Sequence, residues 1–320
     1  MASSRPKISV CIVTFNHERY IRDCLASVVG QQVEADLEIL VGDDCSQDKT
    51  REIILDFSRR YPALVVPVLR DENVGGSQNY RDLVQRASGD YIAYLDGDDY
   101  WLPGKLDAQL CFACAHRDCV AIYCNAAVID DFGQVAGRFS SRIPEKFDLN
   151  FLVRGGNFTC NSSVMYRSEF KNQLTALSGD VIDYLAHIQL ASNGPLGFVN
   201  QDLAVYRLHS STSTSFARPE FLMNLYWDAI LTAAKHGADK GSLGKCIEIR
   251  FRSLLRTVLI RHRLDIALRQ YRRMSLNAPM TLLPIAIRAF FSLPAYLTRD
   301  LFRLAARKIF KGGAQILYER

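Results

Sequence analysis

The stretch YIAYLDGDDYWLPGKL, from Tyr91 to Leu106, joins a short apolar run to a cluster of carboxylates. The run at residues 91–95 has the composition of a buried β-strand. Three aspartates then occupy four positions, with one glycine among them: Asp96, Gly97, Asp98 and Asp99. Like charges this close together repel one another, so we expect a cation, or a cationic part of a ligand, to neutralise them.

Outward from this stretch, strand-like runs alternate with helical periodicity. The strand-like runs are KISVCIVTF, LEILVGDD, ALVVPVLR and YIAYL, and the helical segments between them are ERYIRDCLASVVGQQ, SQDKTREIILDFSRRY and SQNYRDLVQRAS. This alternation predicts an α/β fold with a Rossmann-like, mainly parallel sheet and helices on both faces. Ligands bind such sheets at the carboxyl ends of the strands, and Asn16, Asp44 and Asp96 all follow predicted strands.

Composition and charge distribution narrow the class of protein. The chain has 320 residues and nine scattered cysteines, which favours reduced thiols over a disulfide framework. Residues 250–320 hold 15 Lys and Arg against three Asp and Glu, so the rest of the chain is net acidic. No nucleic-acid motif accompanies this basic region. Its arginines interleave with apolar residues, as in the amphipathic pattern at residues 301–311, which predicts contact with an anionic membrane surface. The alternative is a helical region that packs on the rest of the chain or on a second subunit.

Two common phosphate-binding motifs are missing. A dinucleotide-binding fold needs a Gly-rich turn after the first strand, but VTFNHERY has no glycine there, and no Walker motif is present. A nucleotide diphosphate would therefore need its positive charge from another source. Mg²⁺ or Mn²⁺ binds one or two carboxylates together with substrate phosphates and water. We therefore expect the Asp96-Gly97-Asp98 turn to hold such an ion.

The chain resembles the family 2 glycosyltransferases, which have the GT-A fold and an inverting mechanism. Four ordered segments carry the resemblance: SVCIVTFNHERYIRDCLASVVGQ, LEILVGDDCSQDKT, NVGGSQNYRDLVQRASGDYIAYLDGDDYWLPGKL with its D-x-D motif, and SGDVIDYLAHIQLASNGPLGFVNQDLAVYRLHSSTST. Together they span roughly residues 8–215. In the first half of the chain, the resemblance implies that Thr14 and Phe15 flank a uracil base and that Asp44 accepts from its N3–H.

The resemblance also implies the roles of the remaining site residues. Asp96 would bind ribose or metal-bound water, and Asp98 would be the direct ligand of Mn²⁺ or Mg²⁺. Arg207 and His209 would reach the diphosphate or the metal from the closing segment. Further contacts with the nucleotide sugar are expected from five residues: Asn16, Glu18, Asn73, Gly75 and Asn79.

The catalytic base is expected on a helix predicted over residues 178–194. The resemblance implies Asp180 as the base, with Asp183, one turn further on, as the alternative. The strand pattern after this helix, LGFVNQDLAVYRLH, predicts two short strands. Arg81 in the third helix is a candidate basic contact.

These observations imply a metal-dependent glycosyltransferase domain at residues 1–217 and a helical basic region at residues 218–320. The domain would comprise a nucleotide-binding half, residues 1–115, and an acceptor half, residues 116–217. The expected reaction moves a sugar from a UDP-sugar to a hydroxyl of a glycan or lipid-linked acceptor in bacterial surface polysaccharide synthesis. A sugar nucleotidyltransferase and an inactive membrane-associated binding module are the alternatives. No signal peptide is evident, so we expect a cytoplasmic protein, peripheral at the inner face of the membrane. A monomer and a homo-oligomer are both compatible with the sequence.

Overall fold

The computed structural model describes residues 5–208, 219–261, 263–293 and 315–318. Its amino-terminal half alternates strands and helices as predicted: β1 (Lys7–Thr14), α1 (Ile21–Val29), β2 (Asp36–Asp43), α2 (Thr50–Arg60), β3 (Val65–Leu69), α3 (Gly76–Arg86) and β4 (Tyr91–Asp96). β1 pairs in parallel with β2 and β4, and β2 pairs in parallel with β3. These strands are parallel because a crossover helix joins each one to the next.

The segment at residues 100–207 adds strands of mixed direction. Its elements are β5 (Tyr100–Trp101), α4 (Lys105–Ala115), β6 (Ala121–Ile129), β7 (Val135–Ser140), β8 (Lys146–Phe147), α5 (Leu149–Gly155), β9 (Met165–Arg167), α6 (Lys171–Thr175), α7 (Asp183–Ala191) and β10 (Leu196–Arg207). The sheet order is β7, β6, β9, β4, β1, β2, β3, with β10 beside β6. β10 is one strand whose register is irregular between Val199 and Ala204, where the sequence predicted two strands.

Apolar side chains cover both faces of this sheet. Helices α1, α2 and α4 pack on one face through Leu25, Ile54 and Leu106. Helices α3 and α7 pack on the other face through Leu83 and Ile188. The predicted fold class, an α/β sheet of the GT-A type with helices on both faces, is confirmed.

The carboxyl-terminal region is helical, as predicted, with α8 (Pro219–Lys235), α9 (Lys240–Arg261), α10 (Leu264–Leu276) and α11 at residues 283–293. Trp227 and Ile230 of α8 share one apolar core with Tyr184 of α7, so this core continues across the predicted domain boundary. A last strand, β11 (Gln315–Tyr318), pairs in parallel with β7. Within the described ranges, no helix combines the length and apolar character needed to cross a bilayer. The amphipathic pattern at 301–311 lies outside the described residues.

Candidate functional site

The aspartate turn lies at the carboxyl-terminal edge of the parallel strands. Val13 of β1 pairs with Asp96 of β4, and the N–H of Gly97 donates to the carbonyl oxygen of Val13 at 2.9 Å. A Cβ atom on Gly97 would lie 2.6 Å from Oγ1 of Thr14, closer than real Cβ atoms approach. Only glycine therefore allows the turn to lie this close to β1, which fixes the carboxylates on both sides of it.

A buried hydroxyl joins two of the three carboxylates. Ser162 donates to Oδ2 of Asp99 at 2.5 Å, and its Oγ accepts from the N–H of Asp96 at 3.2 Å. Asp99 is only 2% exposed, and its other oxygen accepts from the N–H of Arg207 at 2.9 Å. Ser162 was not predicted from the sequence, because a serine 63 positions away along the chain reaches the turn only through the fold.

The electrostatic state of the turn reflects crowding of negative charge. Burial, followed by the charge of Asp98, raises the pKa of Asp96 to about 7, although the Tyr94 hydroxyl donates to it at 2.5 Å. Burial and the neighbouring charges of Asp98 and Asp96 also raise the pKa of Asp99 well above its usual range. His17 Nε2 lies 4.0 Å from Oδ2 of Asp98. A bound cation would relieve this repulsion.

Asp44 organises the loop that precedes α3. Its two carboxylate oxygens accept from the N–H groups of Val74 and Gly75, each at 2.9 Å. The side chain of Asn73 donates to the carbonyl oxygen of Asp44 at 3.1 Å. Each carboxylate oxygen keeps further lone-pair capacity, so the predicted contact with a base N3–H is compatible with this arrangement.

The neighbouring residue Asp43 was not predicted from the sequence. It is fully buried, and its Oδ2 lies 3.2 Å from Nε of Arg51. Its Oδ1 is buried and has no hydrogen-bond partner in the described part of the chain. Because the side chain has no exposed surface, this oxygen is an unsatisfied acceptor inside the protein beneath the strand end and not a direct ligand contact.

The loop after β1 is fastened to the loop before α2. The N–H of Asn16 donates to Oγ of Ser46 at 2.9 Å, and Oδ1 of Asn16 accepts from Gln47 at 2.8 Å. Glu18 accepts from the N–H of Lys49 at 3.0 Å. These polar groups hold the two loops together. The ring of Phe15 is left 41% exposed and available to stack on a base.

Two further residues that were predicted to contact the nucleotide, Asn79 and Thr14, are buried. Asn79 has no exposed surface; it donates to the Gly42 carbonyl at 2.7 Å and accepts from Nε of Arg70 at 3.1 Å. The prediction of Asn79 as a direct contact is therefore corrected to a supporting role beneath β2. Thr14 is 1% exposed, and its Oγ1 lies 3.2 Å from Nδ1 of His17. Its side chain supports the turn from below.

Arg207, at the end of β10, reaches the same edge of the sheet. Its guanidinium forms an ion pair with Asp23 at 2.9 Å and lies over the rings of Tyr20 and Tyr100, at 5.0 and 5.1 Å from their centroids. Its positive charge is thus held at the edge beside Asp99. His209, the third predicted metal ligand, lies outside the described residues.

The two candidate bases differ in position. The predicted helix begins at Asp183 and not at residue 178, so Asp180 lies before the helix and is exposed. Hydrogen bonds from Arg81 to Gly179 and between Ser77 and Val181 fasten this segment to α3, so Arg81 serves this contact. Asp183 is partly buried in the first turn of α7, and its charge contributes to the raised pKa of Asp96.

Residues 157–161 contact α7 through alternate side chains. Asn157 donates to Oδ2 of Asp183 at 2.9 Å. Thr159 and Asn161 lie 2.8 and 3.2 Å from the two ring nitrogens of His187. Burial lowers the pKa of His187 to about 4, so the ring is neutral, and its Nε2 donates because Oδ1 of Asn161 can only accept. This segment, followed directly by Ser162, joins the candidate base to the carboxylate turn.

The donor set of the turn fits a hard divalent cation. Oxygen ligands suit Mg²⁺ and Mn²⁺, and Asp98 of the turn is partly accessible, with its side chain 22% exposed. In the ranges that the structure describes, no three His, Cys, Asp or Glu residues form a complete metal site. Such ions usually take only one or two protein carboxylates and complete their shell with substrate phosphates and water. Asp98 and Asp96 fit that partial role.

The sequence matches a profile of the family described as Glycosyl transferase family 2 over residues 9–174. This range covers β1 to β4 and the carboxylate turn, together with most of the acceptor half before α7. The chain belongs to glycosyl transferase family 2. It is thus a transferase by family, and its sheet is of the GT-A type.

Curated relatives extend the match beyond residue 174. An uncharacterized protein of Mycobacterium tuberculosis is 31% identical over 205 residues, which is 63% of this chain and 59% of that protein. The chain therefore spans about three fifths of the length of this relative. The Escherichia coli protein WfgD, a UDP-Glc:alpha-D-GlcNAc-diphosphoundecaprenol beta-1,3-glucosyltransferase, is 27% identical over 226 residues, covering 70% of this chain and 85% of WfgD.

Solved structures support the fold. S. aureus TarS 1–349 in complex with UDP-GlcNAc has a TM-score of 0.62 at 18% identity, covering 88% of this chain and 79% of TarS 1–349. The mannosyltransferase PcManGT of Pyrobaculum calidifontis, in complex with GDP-Man and Mn²⁺, has a TM-score of 0.56 at 15% identity, covering 97% of this chain and 89% of PcManGT. At such identities the likeness concerns the fold alone.

Proposed function

We propose that this protein is an inverting glycosyltransferase that moves a sugar from a UDP-sugar to a hydroxyl group of a glycan or lipid-linked acceptor. The observation that carries the proposal is the link between Asp183, in the first turn of α7, and the carboxylate turn through residues 157–162: Asn157 donates to Asp183, and Ser162 donates to Asp99. A carboxylate base close to a site for the donor diphosphate is the arrangement that direct displacement requires.

In the proposed reaction, Asp183 accepts the proton of the acceptor hydroxyl as its oxygen attacks the anomeric carbon. The bond from that carbon to the nucleotide diphosphate breaks, and the diphosphate leaves with the electron pair. A single attack from the opposite side inverts the anomeric centre. The hydrogen bond from Asn157 holds the Asp183 carboxylate in place during this step. Asp180 is the alternative base, but its exposure makes it the weaker candidate.

Several groups would stabilise the leaving diphosphate. Arg207 holds a positive charge at the edge of the site, beside Asp99. Asp98 and Asp96 would hold Mn²⁺ or Mg²⁺, with His209 as the third predicted ligand. The ion would supply positive charge to the diphosphate oxygens. Phe15, Asp44 and the loop at Gly75, which Asp44 organises, would receive the nucleotide.

The choice of donor and acceptor rests on the relatives. WfgD is named for a UDP-Glc donor and a diphosphoundecaprenol-linked acceptor, and the match covers 85% of its length. TarS 1–349 was solved with UDP-GlcNAc. We therefore propose a UDP-sugar as donor and a sugar on a lipid diphosphate as acceptor, in the synthesis of a bacterial surface polysaccharide. A lipid-linked acceptor lies at a membrane, so we also propose that the basic region, residues 250–320, contacts an anionic membrane surface.

The test is a transfer assay with a panel of nucleotide sugars. UDP-Glc, UDP-GlcNAc, UDP-Gal and GDP-Man are each incubated with Mn²⁺ or Mg²⁺ and a lipid-diphosphate-linked GlcNAc. Nucleotide release is measured, and the anomeric configuration of the product is read by NMR. We expect release with a UDP-sugar and inversion of the anomeric centre. A product with retained configuration would overturn the mechanism, and pyrophosphate release from UTP and a sugar phosphate would indicate the nucleotidyltransferase alternative.

A further inference from the structure

Helix α11 is apolar on two sides. Its inner side packs into the core through four residues: Leu282 just before the helix, Ile285, Ala289 and Leu293. Its outer side exposes four large apolar residues, each between 47% and 77% exposed: Leu283, Ile287, Phe290 and Phe291. Their spacing of four, three and one residues places them along one side of a helix. The outer side of a surface helix is normally polar, and within the part of the chain that the structure describes no apolar partner covers this face, called the α11 face below.

A basic cleft lies along the flank of the same helix. It has a volume of about 640 Å³, and its charged lining residues are Lys240, Lys245, Glu248 and Arg288. Glu248 pairs with Arg252, so the cleft has an excess of positive charge. Among the described residues, no carboxylate forms an ion pair with Lys240 or Arg288. Lys240 also begins α9, where the helix dipole adds positive potential.

We propose that the α11 face and the basic cleft together dock the protein on a bilayer that contains anionic lipids. The four apolar side chains would enter the boundary between headgroups and acyl chains, while Lys240, Lys245 and Arg288 would contact lipid phosphates. Interfacial helices combine these two features, apolar residues on one side and cations at the flank. The 11 described residues of helix α11 are fewer than the roughly 20 that a spanning helix needs, and the proposal places them along the surface of the bilayer.

Charge favours a bilayer over a second copy of the chain. In a two-fold symmetric dimer, the same patch of both subunits meets at the interface. Such a dimer through the α11 face would bring two copies of the basic cleft toward each other, and their like charges would repel. An anionic bilayer complements both the apolar face and the cleft. The proposal concerns lipid contact alone, and it stands whether or not the proposed sugar transfer is correct.

The experiment is flotation of the full chain with vesicles, without donor or acceptor. Vesicles of phosphatidylcholine with phosphatidylglycerol are compared with phosphatidylcholine alone, at low and high salt. The double variant Phe290→Ser/Phe291→Ser removes most of the exposed aromatic surface of α11. The double variant Lys240→Gln/Arg288→Gln removes two charges of the cleft. All four positions line the surface, so both variants are expected to fold, which circular dichroism and thermal melting check.

Two control variants match these changes elsewhere. Phe132→Ser removes a phenylalanine that is 88% exposed in the turn between β6 and β7. Arg59→Gln/Arg60→Gln removes two charges from the end of α2. We expect the wild-type chain to bind anionic vesicles and to be released by salt. The phenylalanine variant should bind at least about tenfold more weakly than wild type, because it loses apolar area that the bilayer would bury. The charge variant should lose most of the salt dependence, and both controls should bind like wild type.

Three results would overturn the proposal. The wild-type chain could fail to bind anionic vesicles. The phenylalanine variant and the charge variant could both bind as well as wild type. Alternatively, light scattering could show that Phe290→Ser/Phe291→Ser converts a dimer into a monomer while vesicle binding is unchanged. That last result would make the α11 face an interface between copies of the chain.

Discussion

The side-chain amide of Asn157 donates to Oδ2 of Asp183 at 2.9 Å, while Oδ1 of Asp183 accepts from the N–H of Tyr184 at 2.8 Å. Both oxygens of this carboxylate are therefore oriented by neighbouring groups. Each oxygen also keeps capacity to accept a further hydrogen bond. An acceptor hydroxyl could thus approach a carboxylate whose direction is already fixed.

The first prediction separates the two candidate bases. Asp183→Asn keeps the shape of the side chain but removes its ability to accept a proton, so kcat should fall by about 10²–10⁴-fold while the affinity for UDP changes little. Asp180→Asn is the matched control, because it makes the same change three positions earlier in an exposed segment, and it should remain active. An inactive Asp180→Asn beside an active Asp183→Asn would reverse the assignment.

The second prediction concerns the metal. With Mn²⁺ present, UDP should raise the thermal midpoint of the wild-type protein, because a ligand that binds only the native state stabilises it by about 2.7 kcal/mol at 100 times its Kd. EDTA should remove most of this increase, and Asp98→Asn should remove it even with metal present. Asp107→Asn, an equal loss of charge on the exposed side of α4, should respond like wild type. The prediction is wrong if UDP stabilises the wild-type protein equally with and without metal.

The third prediction concerns the close approach at Gly97. In Gly97→Ala the new methyl group would lie 2.6 Å from Oγ1 of Thr14, so the turn or β1 must move. We expect the free energy of unfolding to fall by about 1–3 kcal/mol, and the affinity for UDP to fall as the carboxylates shift. Gly76→Ala is the control, since its methyl group would meet only Val13 at 3.9 Å at the start of α3. Equal effects of the two substitutions would contradict the steric argument.

The fourth prediction concerns Ser162. Ser162→Ala removes the hydroxyl that donates to Asp99 and accepts from the N–H of Asp96, so buried polar groups lose a partner. Chemical denaturation should show a loss of about 1–3 kcal/mol in the free energy of unfolding. Activity should fall as well, because the turn is less firmly held. Ser192→Ala, whose hydroxyl donates only to a helical carbonyl at 2.7 Å, should lose much less stability.

The fifth prediction concerns stability in acid. Burial acts to raise the pKa of Glu38, but hydrogen bonds from Lys7, Ser9 and Ser88 outweigh it and lower this pKa to about 2. A carboxyl group whose pKa is lower in the folded state stabilises the protein fully at any pH above its unfolded-state pKa. That stabilisation is lost as the pH falls from about 5 to about 2.

Urea denaturation across this pH range tests the prediction. Glu38→Gln keeps the side-chain shape but cannot ionise, so its free energy of unfolding should fall less steeply with decreasing pH than that of wild type. The variant should also be less stable than wild type near neutral pH, because the charge that Lys7 contacts at 2.8 Å is gone. Identical slopes for the two proteins would show that Glu38 does not contribute to acid sensitivity.

Much of the fold was predictable because buried parallel strands are continuous apolar runs. The sequence shows four of them, separated by helical periodicity. Two of these runs end beside aspartates, and this position made Asp44 and Asp96 candidate site residues. Local pattern was sufficient there, since a strand end and its neighbouring turn are close in the chain. The same reasoning correctly predicted helices on both faces of the sheet.

The start of α7 could not be predicted in this way. Ser178, Gly179 and Asp180 have the composition of a helix start, whereas the actual N-cap is Ile182, which has no capping side chain. The tertiary contact between Asn157 and Asp183 orients the Asp183 carboxylate, and no local pattern indicates this contact. Ser162 and Asp43 were missed for the same reason, because their roles depend on contacts between segments that are distant in sequence. Asn79 was misjudged because nothing local indicates that it lies beneath Gly42.

The alternation along residues 157–161 restricts how this part of the chain can change in length. Asn157, Thr159 and Asn161 face α7, while Phe158 and Cys160 are buried in the two apolar cores of the protein. Inserting or deleting one residue would exchange the two sets, turning amides into the cores and a phenylalanine toward the base. Natural relatives and engineered variants should therefore tolerate substitutions here but not insertions or deletions, and changes in length should fall instead in exposed turns such as the one around Phe132.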